Sequence, residues 1–322
     1  MNLTQLEGLG WRRRWMSQMG CILGCCDYLG LQISSGWLYG GSGQAFVLNI
    51  HEEVCPSGPT AWDGRRMLSL AEGLGIRHES VSGSREAGTL AEAREKAWEL
   101  VRRSIASGIP VYGWELRVPE YYVIHGFDET GYYYSGPGID GGDGPLPRNE
   151  LGETGIGMIE LHAVHRCPNE DDRSVIRNTL QFALSLNTPS LQRPFPDYAL
   201  GLDGYDAWIR AMEQGTASQI GIAYNAAVWS ECRKEAAAFL NEAGERVPEL
   251  GGALKETAAF YKAAAESLEE VVSIYPFSPR LGDAPPPADA RCERAVVALE
   301  QAKRGEVEGL KMSSAILDGY LK

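Results

Sequence analysis

The stretch Tyr121-Tyr122-Val123-Ile124-His125-Gly126-Phe127-Asp128-Glu129-Thr130-Gly131-Tyr132-Tyr133-Tyr134 decides the fold class. Its first seven residues are rich in β-branched and aromatic side chains. Asp128 to Gly131 carry turn chemistry and a second aromatic run follows, so the segment reads as a β-hairpin. Residues 109–116 and 157–165 are similar short runs rich in Val, Ile and Tyr, and residues 76–81 make a further short strand. The Gly/Asp-rich residues 136–145 read as a loop. These strands form an antiparallel sheet, and helical patterns precede it, which is an α+β layer architecture.

Working upstream, the spacing of Met19, Ile22, Leu23, Cys26 and Leu29 predicts an amphipathic helix over 17–29 that stops at Gly30. A Gly-rich turn follows at 40–43, then an apolar run at 45–50 that reads as a strand. A loop of small residues over 55–60 ends at Trp62. Helical patterns return at 66–74 and 90–106. Working downstream, Cys167-Pro168-Asn169-Glu170-Asp171-Asp172 marks a boundary. Beyond it, helices are predicted at 173–186, 205–214, 218–243, 250–275 and 292–321. A proline-rich extended linker occupies 276–290. Two domains are therefore expected: an α+β domain over residues 1–166 and an all-α bundle over 173–322.

The composition narrows the function classes. The chain has 322 residues, 44% apolar and 23% charged, with a net charge of −13. That acidity argues against general binding to the phosphate backbone of nucleic acid. The basic run Arg12-Arg13-Arg14 reads as a solvated helix approach anchored by Trp11 and Trp15. No stretch approaches the ~20 apolar residues of a membrane span, and no secretion signal is read at the start. Seven cysteines without framework spacing point to free thiols in a reducing cytoplasm. Cys21, Cys25 and Cys26 lack a histidine at ligand spacing, so helix packing is read there and no metal or organic cofactor is expected.

The order of elements carries a resemblance. Tyr39-Gly40-Gly41-Ser42-Gly43-Gln44-Ala45-Phe46 after the first helix, Gly108-Ile109-Pro110-Val111, and the Tyr121–Asp128 strand together resemble papain-like cysteine peptidases of the bacteriocin-processing type. They look closer still to the butirosin biosynthesis protein H family, whose helical continuation is similar to residues 221–240 here. The resemblance implies a papain-like N-terminal domain that transfers an acyl group from a carrier-protein thioester through a cysteine at a helix N-terminus. A histidine from the facing sheet would take the proton and an acid would orient it. Carried over residue by residue, the cysteine position falls on Ser17, the histidine position on Glu120 and the acid position on Gly136. All three depart from the family.

Neighbouring residues are the substitutes to weigh. Cys21 lies one helical turn beyond Ser17 on the same face, as a displaced nucleophile or a core thiol. Glu120 is a general base if buried, or a hydrogen-bonded carboxylate. Ser17 is a nucleophile or an ordinary N-cap. If residue 120 faces the helix, strand alternation turns His125 away unless a bulge intervenes. Trp37, Ser42, His51, Cys55 and Trp62 are candidate pocket residues beside the first helix, although the segment from His51 to Trp62 also reads as a structural loop capped by Trp62. Trp229 and Arg233, one helical turn apart, are a helix–helix seam with a satisfied arginine or substrate-binding candidates in the helical domain, where the arginine would stack or hold a carboxylate. Two functions remain: an acyl-transfer or amide-handling enzyme with altered catalytic residues, or a catalytically degenerate module that binds a small molecule or partner protein. The Ala-rich helices also make a homodimer through the helical domain an expectation.

Overall fold

A computed structural model describes residues 3–188 and 195–320. In chain order the elements are β1 (Thr4–Gln5), α1 (Ser17–Leu29), α2 (Ser35–Gly41), β2 (Asn49–His51), α3 (Arg65–Glu72), β3 (Ile76–Ser84) and α4 (Leu90–Ala106). Next come β4 (Val111–Trp114), β5 (Tyr121–Phe127), β6 (Gly131–Gly136), β7 (Ile139–Pro147) and β8 (Met158–Arg166). The remainder is α5 (Asp172–Ser185), β9 (Tyr198–Leu200), α6 (Leu202–Gln214), α7 (Gln219–Arg246), α8 (Gly251–Ile274) and α9 (Ala290–Tyr320). The expected end of the last helix, Leu321, lies outside the described residues. The class is mixed α and β with an antiparallel sheet. No helix among the described residues is long and apolar enough to cross a membrane.

The chain divides into two compact units, and the division is not linear. The first unit is Met1–Ile33 with Gly75–Pro168; the second is Ser34–Leu74 with Asn169–Lys322. The cut after Pro168 falls in the boundary read from the sequence. A single division at residues 166–173, however, misses the segment Ser34–Leu74. Glycine explains where that segment goes. A Cβ at Gly40 would stand 2.0 Å from Cγ of Phe239 on α7, and one at Gly36 would stand 2.9 Å from Cβ of Ala238. Only a helix with bare backbone on that face can lie so close to α7. The Tyr39 hydroxyl then donates to Glu231 at 2.7 Å.

In the first unit the sheet runs β3-β8-β4-β5-β6-β7, with β1 paired to β5. α1 ends at Gly30, whose φ of 67° supplies the left-handed stop. Its inner face is bare at Gly20 and Gly24, and a Cβ at Gly24 would fall 1.9 Å from the Gly10 carbonyl oxygen. The N-terminal segment crosses there, and Arg12 N donates to Gly20 O at 3.1 Å.

Two local expectations are corrected. Residues 136–145 are not a loop throughout, because Ile139–Pro147 is the edge strand β7. Its register against β6 shifts at Tyr132/Tyr134 and again at Tyr134/Gly136. An exposed edge strand needs backbone pairing and little side-chain burial, so a Gly/Asp-rich sequence can form one with irregular register. The apolar run 45–50 is only partly strand: Gln44–Phe46 is a 3-10 turn and Asn49–His51 pairs with β9. A continuous apolar run reports burial, which both conformations satisfy.

Candidate functional site

The first unit holds four of the expected catalytic residues, and two of them meet. Ser17 is the first helical residue of α1, only 3% exposed. It is not the N-cap: that position is Met16, which makes no side-chain cap bond. The Ser17 hydroxyl instead donates to Glu120 Oε2 and accepts from Tyr121 N at 3.0 Å. Donor and acceptor are thus both engaged, and the hydroxyl ties the helix start to the start of β5.

Cys21, one turn deeper, is fully buried. Burial, and next the negative charge of Glu120, push its thiol well above the ordinary range. Cys25 is raised in the same way, by burial and then by its cysteine neighbours. Cys26 is pushed up to about 12 by burial first, with Asp27 adding and Arg12 opposing. A thiolate is the nucleophilic form, so this end of α1 stores thiols rather than activating them. Cys21 has the burial of the core-thiol reading.

His125 sits at a register shift in β5, between Ile124 and Gly126. The bulge does not bring it to Ser17. Its Nε2 lies 3.2 Å from where a Cβ on Gly142 of β7 would stand. Burial lowers its pKa, with the Tyr134 backbone and Glu7 pulling the other way. Tyr121 has its ring 5.9 Å from Tyr112 and its hydroxyl on Glu160. Glu120 precedes the strand, in a turn where Glu115 N donates to Glu120 O at 2.8 Å, so alternation does not extend to it. Gly136, where the resemblance would put an acid, packs under Tyr122, and a Cβ there would come within 2.5 Å of Cδ1 of that ring. An aspartate has no room.

Reading for spacing missed a second polar chain on the α1 side of the sheet. Tyr121 Oη donates to Glu160 Oε2 at 2.9 Å, and His162 Nε2 lies 3.0 Å from Glu160 Oε1. His162 Nδ1 then lies 2.7 Å from Ser80 Oγ on β3. His162 is 1% exposed, whereas Ser80 is solvent-exposed. Burial pushes Glu160 up, but its bond to His162, the charge there and the Tyr121 hydroxyl outweigh that, and its pKa is lowered. His78 meets the His162 ring edge-on at 5.9 Å, and neither of its nitrogens finds a hydrogen-bond partner among the described residues. The available signal was the pattern Glu160-x-His162 inside a strand, which sets both side chains on one face.

The expected pocket residues all belong to the second unit. Trp37 is 5% exposed beneath Arg246, whose guanidinium carbon stands 4.0 Å from the ring centroid. Ser42 is buried and donates to Tyr39 O at 3.3 Å. His51 and Cys55 gather around Tyr198: the His51 ring is 5.0 Å from it, and Ser57 Oγ stands 2.6 Å from its hydroxyl and 3.0 Å from Cys55 Sγ. Trp62 closes its own loop through Nε1 to Pro59 O at 3.2 Å. Trp229 and Arg233 are fully buried. Arg233 does hold a carboxylate, but it is Glu306 of α9, at 2.8 Å to both oxygens. Trp229 Nε1 donates to Asn225 Oδ1 at 3.0 Å. Both are core residues of the helical unit, in keeping with the helix–helix seam. Among the described residues no group of three or more His, Cys, Asp and Glu is placed to hold a metal ion.

Compared with protein-family models and with curated proteins, the sequence matches none.

Proposed function

We propose that this chain is a papain-like protein, similar in plan to the butirosin acyltransferase family, whose thiol site has become structural. It acts as a binding module for a small molecule or a partner protein rather than as a cysteine acyltransferase. One observation carries the reading: the hydroxyl at the cysteine position is engaged on both sides, by Glu120 and by Tyr121 N. The sealed Cys21 and the ring of Tyr122 over Gly136 support it, because they remove the displaced thiol and the orienting acid together. A reducing cytoplasmic location belongs to the same reading, since Cys21, Cys25, Cys26, Cys55, Cys232 and Cys292 are free thiols.

Timed alkylation of the native protein near neutral pH, with each modified cysteine located by peptide mass, tests the closed site. Cys21, Cys25 and Cys26 should stay unmodified until the protein unfolds, while half-exposed Cys55 and Cys167 react. An aminoacyl-thioester turnover assay addresses the enzymatic alternative at the same place, with Ser17 as nucleophile and Glu120 as base. Turnover that disappears in both Ser17→Ala and Glu120→Gln would overturn the binding-module reading.

A further inference from the structure

The first unit contains a second serine in a hydrogen-bonded chain, Ser80, away from the α1 N-terminus. We infer that Ser80, His162 and Glu160 form a nucleophile–base–orienter relay, and that the exposed Ser80 hydroxyl attacks small acyl esters presented at the sheet edge. Three geometric features argue for it. The three side chains are linked in one line, Ser80 Oγ to His162 Nδ1 at 2.7 Å and His162 Nε2 to Glu160 Oε1 at 3.0 Å. These lie within the reach that general-base activation of a hydroxyl requires. The second Glu160 oxygen is held by Tyr121 at 2.9 Å, so the carboxylate cannot turn away. The Tyr112 ring lies 4.8 Å from the imidazole at 31°, which fixes the ring plane.

The tautomer follows from the partners. An ionised Glu160 only accepts, so the Nε2 proton of a neutral His162 points to it. Nδ1 is left as the acceptor facing Ser80. Exposure is divided as a reaction needs: the base is 1% exposed and the nucleophile faces solvent. β3 is also the edge of the sheet. Among the described residues no strand pairs with its outward side, which leaves room there for an approaching acyl group.

The step balances. Ser80 Oγ bonds to the ester carbonyl carbon and its proton passes to His162 Nδ1. Glu160 stabilises the imidazolium through the Nε2 proton. The alkoxide leaves as the C–O bond breaks and takes that proton from His162. Water, deprotonated by the same nitrogen, then cleaves the acyl-serine. The net reaction is ester plus water giving acid plus alcohol.

The test is a fluorophosphonate probe on the full chain, with the modified serine located by peptide mass. Attack forms a Ser80 O–P bond and expels fluoride, while the serine proton goes to His162. Ser80 is expected to label in the native protein and not after heat unfolding, and Ser80→Ala, a surface change, should abolish the signal. His162→Gln should slow labelling by about 10²- to 10⁴-fold, the usual contribution of a positioned base. If that variant does not fold, Glu160→Gln serves instead. With the orienting charge gone, the midpoint of the labelling-rate pH profile should move down, which a purely structural glutamate would not cause. Absence of native labelling at Ser80 overturns the inference. So does labelling that is equally fast, with an unmoved pH midpoint, in Glu160→Gln.

Discussion

Each unit buries one extended polar network, and the two are built on opposite plans. In the helical unit the Arg233 guanidinium bonds Glu306 through Nε at 3.1 Å and Nη2 at 2.8 Å, and Nη1 donates to Val47 O. The Tyr205 hydroxyl adds a bond to Glu306 at 2.9 Å. Arg233 and Glu306 are 0% and 1% exposed, so this network is closed on itself. In the sheet unit, the chain Tyr121, Glu160, His162, Ser80 starts inside and ends at solvent, with the orphaned His78 ring beside it. A closed network can only hold the fold, whereas one with an exposed end and an unpaired neighbour keeps groups available for proton transfer.

The largest expected effect breaks the closed network. Arg233→Met strands a buried carboxylate, and Glu306→Leu strands a buried guanidinium. Either should cost about 3–5 kcal/mol, read as a lower denaturant midpoint for the helical unit. The double variant removes both charges and should recover most of that loss. A double variant no better than the singles would mean that geometry, not charge pairing, sets the cost.

Next in size is the Ser17 clasp. Ser17→Ala leaves Tyr121 N without its acceptor, inside a buried strand start, and should cost about 1–3 kcal/mol in the sheet unit. Glu120→Gln keeps an acceptor for the serine and should cost less. Equal losses would show that the carboxylate charge, rather than the amide bond, holds the helix start.

The two networks also differ in how readable they were. Arg233, one turn after Trp229, called for a partner, a ring or a carboxylate, because a cation on an apolar helix face must be paired. The sequence could not say that the partner lies 73 positions away on α9. In the sheet unit, α1 over Ser17–Leu29, α4 over Leu90–Ala106 and β5 over Tyr121–Phe127 follow their patterns to the residue. Strong periodicity and turn punctuation explain that. Ser17 and Glu120 were both singled out from the sequence, and the two side chains meet. The α2 helix was not legible, since Ser34 caps a run of three glycines in seven residues. Its helicity comes from packing on α7, which local propensity does not carry. β7 failed for the same reason: pairing on a sheet edge is tertiary information.

A pH titration sharpens the contrast further. Burial first, and then the charges of His162 and His165, lower the His78 pKa from 6.5 to about 3. A base held neutral in the fold takes up its proton only on unfolding in that window. The unfolded state therefore binds more protons between pH 6.5 and about 3, and stability falls as pH falls. The slope is at most ~1.4 kcal/mol per pH unit. His78→Leu should flatten it in the sheet unit, measured as unfolding midpoint against pH, and the helical unit should not respond. An unchanged slope would assign the acid sensitivity to other groups.

The smallest effect concerns the rim of α1. Arg12 and Asp27 pair at 2.5 Å with 44% and 48% of their side chains exposed, so Arg12→Ala should cost no more than ~1 kcal/mol. Its value lies in the thiols. Arg12 is the one attractive charge acting on Cys26, and burial outranks it. If burial keeps the α1 thiols inert, removing Arg12 leaves the native alkylation rate of Cys26 unchanged in a timed labelling experiment. A faster rate would mean that the pair clamps the helix face shut, and that the difference between the two units at this point is one of opening rather than of charge.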